Sequence, residues 1–343
     1  MEPAQYPSKR PSITDVAKLA GVSQSAVSKV LRGAYGVSKA METKVNSAIQ
    51  ELGYRPRTGA RAMRGKSNLI GFEIPQVGNE FFTQIILGAS EQLENTGFQL
   101  LIAPALAQAQ GQRAIDALID HQVDGLIAIS PEVMPQALDQ VAAYLPLVMI
   151  GRHDSSKNYD TVTSDDAKGI TLAMNHLVLL GHRSIVHLTI QPAIDLDEAK
   201  SPHASRLDRY LEICMEQNLQ PEVAFCDADE QGAYSRTLEI LKAKPRATAI
   251  LAGNDTLAIG AMRAISEQGL GPGDVSVIGY DDIDIASHPM ISLTTVNQDG
   301  KRVGREAVSL LLERIAGTRA TARHVQIKPE LQIRKSTEKP NLA

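Results

Sequence analysis

The chain runs to 343 residues, 43% of them hydrophobic and 4% aromatic, with no Trp, two Cys and a formal charge of −4 at pH 7. That length asks for more than one domain, and two Cys exclude a disulfide scaffold while fitting a reducing cytoplasm. The charge is lopsided: the first 66 residues hold 12 Lys+Arg against 4 Asp+Glu and the rest hold 23 against 35, so a small basic head suited to a polyanion precedes an acidic body.

In the head, Thr14 reads as an N-cap and Asp15 as a first-turn acid. Val16, Ala17, Leu19 and Ala20 follow on one helical face, and Gly21 supplies a left-handed stop. Val22 fills the corner, and Ser23 caps a second helix from 24 to about 32 whose Val27, Val30 and Leu31 point inward. Gln24, Ser25, Ser28 and Lys29 are left facing out. Two short helices around a glycine turn, the second presenting polar side chains from its N-terminal end, make a helix-turn-helix. A third helix over 39–52 carries Met41, Val45, Ala48, Ile49 and Leu52, with Ser38 as its cap and Gly53 as its stop. The core of such a unit is small, so the head is marginal alone.

Residues 55–65 bring Arg55, Arg57, Arg61 and Arg64 together with a single large apolar side chain, Met63. By itself this is a flexible basic linker, because it has too little to bury to hold a helix. Paired with a twin on DNA, it can form a short helix over 58–64.

Beyond Lys66 the chain alternates apolar strand-like runs with amphipathic helices. Strands are expected at 69–74, 99–103, 125–129, 147–150, 184–188, 249–252 and 275–280. Helices are expected at 83–96, 110–121, 135–144, 166–180, 205–216, 232–242, 255–268 and 301–317. This rhythm predicts parallel sheets covered on both faces, and the length is too great for one sheet, so two α/β lobes follow. Ligands of such sheets bind beyond the carboxyl ends of the strands, here between the lobes. Arg152, Asp165, Asn254 and Asp281 sit just past expected strands, and Arg206 opens a helix after a strand and loop. Carboxylates to accept from hydroxyls, with Arg and Asn to donate, suit a sugar or polyol. Phe81 and Phe82 offer rings to stack on its apolar face. An Asp or Asn in such a place is also a common helix cap, and Asp255 and Asp282 read as caps more readily than as ligand groups.

Segment 14–56 resembles the DNA-binding head of the LacI/GalR family of bacterial transcriptional regulators. The likeness continues through Arg61-Ala-Met-Arg-Gly, Asn79-Glu-Phe-Phe, Val123-Asp-Gly-Leu-Ile, Gly181-His-Arg, Asn254-Asp, Gly279-Tyr-Asp-Asp and Leu293-Thr-Thr-Val. It implies an N-terminal three-helix helix-turn-helix head plus hinge, then a two-lobed, periplasmic-binding-protein-like α/β body. The expected domains are a DNA-binding head over 1–54, a hinge over 55–67, an effector-binding and dimerisation body over 68–336, and a tail over 337–343. Within the body one lobe takes about 68–165 and 298–325, the other about 166–297 and 326–336.

The resemblance places Gln24, Ser25 and Lys29 at base-reading positions, with Thr14, Ser23, Ser28, Arg32, Tyr54, Arg57 and Arg61 as further DNA contacts. Three positions depart from the family's habit, which is Thr at Ala26, Arg at Lys29 and Asn at Arg32. Lys29 lacks the planar fork of Arg, which softens discrimination of guanine. Met63 stands where the family's hinge leucine wedges into a base step through the minor groove, a role that an apolar, slim side chain fits. In the body the resemblance assigns the effector pocket to Phe81, Phe82, Arg152, Asp165, Arg206, Asn254, Asp281 and Gln298.

No His-x-x-x-His or His-Glu-x-x-His spacing, Gly-x-Ser-x-Gly elbow, P-loop or Gly-x-Gly-x-x-Gly occurs, and Cys214 and Cys226 match neither a zinc nor a redox motif. No catalytic residue, metal or cofactor is therefore expected. With no signal-like apolar run and no membrane-spanning stretch, the expected place is the bacterial cytoplasm, on the nucleoid when bound to DNA. The expected function is a repressor acting as a homodimer on a pseudo-palindromic duplex operator, controlled by a sugar or sugar acid serving as inducer or corepressor. The competing readings are a sugar-binding receptor, and a sugar-acting α/β enzyme with an incidental basic head.

Overall fold

The computed structural model describes residues 11–31, 34–54, 67–105, 111–130, 132–191, 201–243 and 246–341. The chain divides into two compact units, Met1–Ser67 and Asn68–Ala343.

The first unit packs α1 (Ile13–Ala20), α2 (Gln24–Leu31) and α3 (Lys39–Leu52) around Val16, Ala17, Val27, Val45 and Ala48. Ser12 caps α1, not Thr14. Its hydroxyl accepts from the Asp15 amide while the Asp15 carboxylate accepts from the Ser12 amide at 2.8 Å, a reciprocal box that satisfies two orphan donors. Gly21 and Gly53 end α1 and α3 in the left-handed region, and Ser38 caps α3. Leu19, placed on the inward face by its apolar character, is instead 45% exposed.

The second unit contains two six-stranded sheets. The first is built from β1 (Leu69–Ile74), β2 (Gln99–Pro104), β3 (Gly125–Ile129), β4 (Leu147–Ile150), β5 (Asp160–Ser164) and β11 (His324–Ile327), in the order β11-β5-β4-β3-β1-β2. The second takes β6 (Ile185–Ile190), β7 (Glu222–Cys226), β8 (Ala249–Ala252), β9 (Ser276–Asp281), β10 (Thr294–Asn297) and β12 (Glu330–Gln332), in the order β12-β10-β9-β8-β6-β7. All pairings are parallel except β10 with β12. Each sheet reverses its winding beside its first strand, between β1 and β3 and between β6 and β8. Such switch points open the crevices in which α/β sheets hold ligands.

Helices cover both faces of each sheet. On the first sheet α4 (Glu80–Leu93) and α11 (Gly300–Ile315) share one face, with α5 (Gly111–Asp120) and α6 (Pro135–Ala142) on the other. On the second, α7 (Asp166–Leu180) and α8 (Pro202–Glu216) lie opposite α9 (Glu230–Lys242) and α10 (Asp255–Glu267). Helices α4 and α11 touch backbone to backbone: a Cβ on Gly88 would collide with the Lys301 carbonyl, and one on Gly304 with that of Ile85. The chain crosses between the sheets three times, after β5, after β10 and after β11.

Strands β5, β7, β10, β11 and β12 escaped the sequence reading. β5 and β10 read Asp-Thr-Val-Thr-Ser and Thr-Thr-Val-Asn, yet Thr161, Thr163, Thr294 and Thr295 are buried in the sheets. Polar runs of that kind do not announce a core strand. The fully buried Asp160 clasps Arg314 at 2.8 Å and Arg319 at 2.7 Å, tying β5 to the end of α11. Burial would raise its carboxyl, but these guanidinium groups hold it below the usual range. Residues 337–341, within the expected tail, bind the second lobe: Thr337 meets His176, the Glu338 carbonyl meets His182, and the Asn341 amide donates to the Gly273 carbonyl. No described helix is long and apolar enough to cross a membrane.

Candidate functional site

In the first unit, Gln24, Ser25 and Lys29 are exposed on α2, with Ser28 half-buried beside them. Ser23 caps α2, its hydroxyl accepting from the Ala26 amide at 3.1 Å. The Gln24 amide donates to the Thr14 hydroxyl at 3.0 Å, which pins the starts of α1 and α2 together. To read adenine with both its amide atoms, Gln24 must exchange that partner. Tyr54 is half-buried against the head's core. Arg32, Arg57, Arg61 and Met63 lie outside the described residues.

In the second unit, the polar groups that converge are only partly the expected ones. Arg206 comes from the second turn of α8 and is 4% exposed. Its Nε donates to Asp166 Oδ1 at 2.6 Å and its Nη1 to the Gly253 carbonyl at 2.7 Å, beside the β6/β8 switch point. Its guanidinium carbon stands 3.7 Å over the Tyr280 ring, a cation–π contact on the remaining face. Burial would lower this guanidinium's affinity for its proton, but Asp166, Tyr280 and Asp281 raise it. Burial would likewise raise Asp166, but Arg206 and His153 hold it below the usual carboxylate range.

Asp281 ends β9 with φ 122°, and Asp282 follows with φ 56°. Two consecutive residues in the left-handed region cost of the order of 1–3 kcal/mol each, and such strain concentrates where a side chain is aimed for use. Gln298 donates its amide to Asp281 Oδ1 at 2.5 Å, and both side chains are 4% exposed. Burial pushes the Asp281 carboxyl up to about 7, with Asp166 adding to it, against the pull of Arg206 and of the Gln298 amide. Below it, Asp255 accepts from Thr295 Oγ1 at 2.5 Å and from the Ile283 amide at 2.9 Å. Burial, then the Asp281 charge, raises that carboxyl far above its ordinary value.

The first lobe contributes from α4 and from the loop after β4. Phe81 and Phe82 are half-buried, their centroids 6.4 Å apart, and Phe81 packs against the cores of both lobes. Gln84 donates across to the Asp282 carbonyl at 3.0 Å and to Asp284 Oδ1 at 3.2 Å. His153 Nε2 lies 2.8 Å from Asp166 Oδ2.

Five residues are placed otherwise than expected. Asp165 is the N-cap of α7, accepting from the Lys168 amide, and its neighbour Asp166 faces the site. Asn254 is the N-cap of α10, accepting from Leu257 at 2.9 Å, whereas Asp255, read as the cap, is buried beneath Asp281. Asp282 is no cap either: it binds Arg334 at 2.7 Å and Asn297 at 2.8 Å. Arg152 is buried in the first lobe, where it donates to Asp154 and to the Val133 carbonyl. Arg206, Asp281 and Gln298 do come together, while Phe81 lies at the lobe junction with Phe82 beside it on the first lobe. Sequence reasoning missed Asp166, His153 and Tyr280. The doubled Asp165-Asp166 was the available signal, because consecutive residues at a helix start point different ways. Among the described residues no cluster of His, Cys, Asp and Glu could hold a metal.

Comparison with known proteins follows the same division. Residues 12–57 match the family described as bacterial regulatory proteins, lacI family, and residues 174–337 match a periplasmic binding protein-like domain. The chain is 32% identical over 336 residues to the HTH-type transcriptional repressor PurR of Aliivibrio salmonicida, a match spanning 96% of this chain and 99% of that protein. It is 31% identical to the ribose operon repressor of Haemophilus influenzae, spanning 95% and 98%. Its fold is similar to that of the lac repressor dimer bound to operator and the anti-inducer ONPF, with a TM-score of 0.77, 28% identity, and coverage of 96% of this chain and 100% of the other.

Proposed function

Since the chain belongs to the LacI family of bacterial regulatory proteins, we propose that its second unit holds a small polyhydroxylated effector between the two lobes, and that this ligand sets the grip of the first unit on DNA. It is a DNA-binding transcriptional repressor governed by a small molecule, a regulator and not an enzyme. The observation that carries the effector reading is the convergence of Arg206, Asp281 and Gln298, each 4% exposed, with Phe81 at the lobe junction and Phe82 beside it. Buried polar groups backed by an aromatic face suit a ring with hydroxyls on its edge and carbon on its face.

Charge favours an uncharged sugar over a sugar acid. Arg206 is already neutralised by Asp166 at 2.6 Å, and Asp281 adds a carboxyl beside it. A ligand carboxylate would meet no net positive charge there. The DNA-reading surface is the exposed face of α2, extended by the arginines of residues 55–66, and two copies of the chain read the halves of a pseudo-palindrome. Opening or closing the lobes around the ligand moves the first lobes of the two copies and hence the spacing of the hinges.

A thermal-shift screen of the full chain against neutral sugars, D-ribose among them, sugar acids and nucleosides tests the reading, because a ligand bound only by the folded state raises its stability. Arg206→Lys and Asp281→Asn should lose the shift that the wild type shows. A shift retained in both variants would refute the pocket. Fluorescence anisotropy on duplexes selected from a random pool, with and without the ligand found, then separates inducer from corepressor.

A further inference from the structure

We infer that His153 is a positioning residue for Arg206, supplied to the effector site from the opposite lobe through Asp166. It rests on the effector reading only in that Arg206 is taken to meet the ligand.

His153 belongs to the loop between β4 and β5, both strands of the first sheet. Asp166 begins α7, whose buried face packs on the second sheet. The 2.8 Å contact between His153 Nε2 and Asp166 Oδ2 therefore joins the lobes at the first crossover. The other oxygen of the same carboxylate takes Arg206 Nε at 2.6 Å. The Asp166 and Arg206 side chains are 2% and 4% exposed, so water does not compete for either bond, while the His153 ring is 22% exposed and forms the accessible end of the chain.

A carboxylate turns about its Cβ–Cγ bond unless both oxygens are engaged. With His153 in place, the plane of Asp166 is fixed, and with it the direction in which the guanidinium lies over Tyr280. Without it, Asp166 keeps one partner and Arg206 inherits the freedom. A buried polar network of this sort orients its members only when each is satisfied. The imidazole must donate from Nε2, and a glutamine amide at the same position can do likewise, whereas alanine cannot.

The test uses the ligand-free, full-length protein carrying isotope-labelled arginine. The Nε–H signal lost in Arg206→Lys identifies Arg206, and its exchange with water is then measured. In the wild type that proton exchanges slowly. In His153→Ala, exchange should quicken about tenfold or more, the effect of losing one charge-assisted hydrogen bond, while His153→Gln should stay within about twofold of wild type. Unchanged exchange in the alanine variant overturns the inference. Equal acceleration in the glutamine variant overturns it too, because the ring's bulk and not its bond would then be what counts. Whether Arg206 meets the effector is read separately from the thermal shift of Arg206→Lys, so either result can fail without moving the other.

Discussion

Replacing Glu73 with glutamine isolates an ionisation buried in the first sheet. Glu73 lies on β1 at the β1/β3 switch point, is 0% exposed, and accepts from the Ile129 amide through Oε2 at 3.1 Å. Its Oε1 has no hydrogen-bond partner among the described residues. Burial lifts its pKa from 4.5 to about 8, with the Ile129 amide pulling the other way. Because the folded value lies above the unfolded one, the folded state binds the extra proton. The stability linked to this group is therefore full below pH 4.5 and is lost as pH rises through about 8. At about 1.4 kcal/mol per pH unit, the span corresponds to roughly 5 kcal/mol at most, an upper bound that relaxation around the charge reduces.

Glutamine keeps the shape and the acceptor for Ile129 but cannot ionise. At pH 5 the variant should match the wild type within about 1 kcal/mol. At pH 9 it should be more stable by at least about 2 kcal/mol. Urea unfolding of the full chain, followed by far-ultraviolet circular dichroism from pH 5 to 9, measures the difference. Asp281 titrates in the same window, but it is common to both proteins and cancels in the subtraction. A difference that does not grow with pH would refute the reasoning.

Other perturbations probe the remaining features. Effector affinity measured by calorimetry should rise between pH 5.5 and 8 as the Asp281 carboxyl ionises through about 7 and becomes the stronger acceptor for ligand hydroxyls, and a flat profile would refute this role. Asp160→Ala, which strands Arg314 and Arg319, should lower the stability of the second unit by about 3–5 kcal/mol in urea unfolding, with Asp160→Asn milder. Gly88→Val, driven against the Lys301 backbone, should cost about 1–3 kcal/mol or more on the same scale. Met63→Ala should weaken operator binding in anisotropy by about tenfold or more through loss of the proposed wedge, leaving the ligand-induced thermal shift unchanged.

The sequence disclosed most where one residue type has one physical use. Gly21, Ser23, Ser38 and Gly53 are caps and stops in the structure as read, because short hydroxyls and left-handed glycines have few other places to go. Apolar strands such as Leu147–Ile150 and Ala249–Ala252 were legible for the same reason. Asp165 and Asp166, or Asn254 and Asp255, present the opposite case. Each pair holds one cap and one buried group, and a shift of one residue in the helix start exchanges the roles. His153 was invisible because its partner lies in the other lobe, and no local pattern marks a contact set by the tertiary fold. Leu19 shows the converse failure, an apolar side chain counted toward a core that leaves it 45% exposed.

The three passages of the backbone between the sheets bear on how the protein is made. The last strands to leave the ribosome, β11 and β12, close one edge of each sheet, so the first sheet lacks a strand until residue 327 has emerged and the second until residue 332. The head has no such debt to the far end of the chain, and its three helices lie within the first 52 residues. During synthesis the part that addresses DNA can therefore assemble long before the part that answers to metabolites. Nascent chains halted short of residue 324 should carry the whole of the marginal head and an unfinished sensor, so whatever grip they have on DNA has nothing yet in place to regulate it.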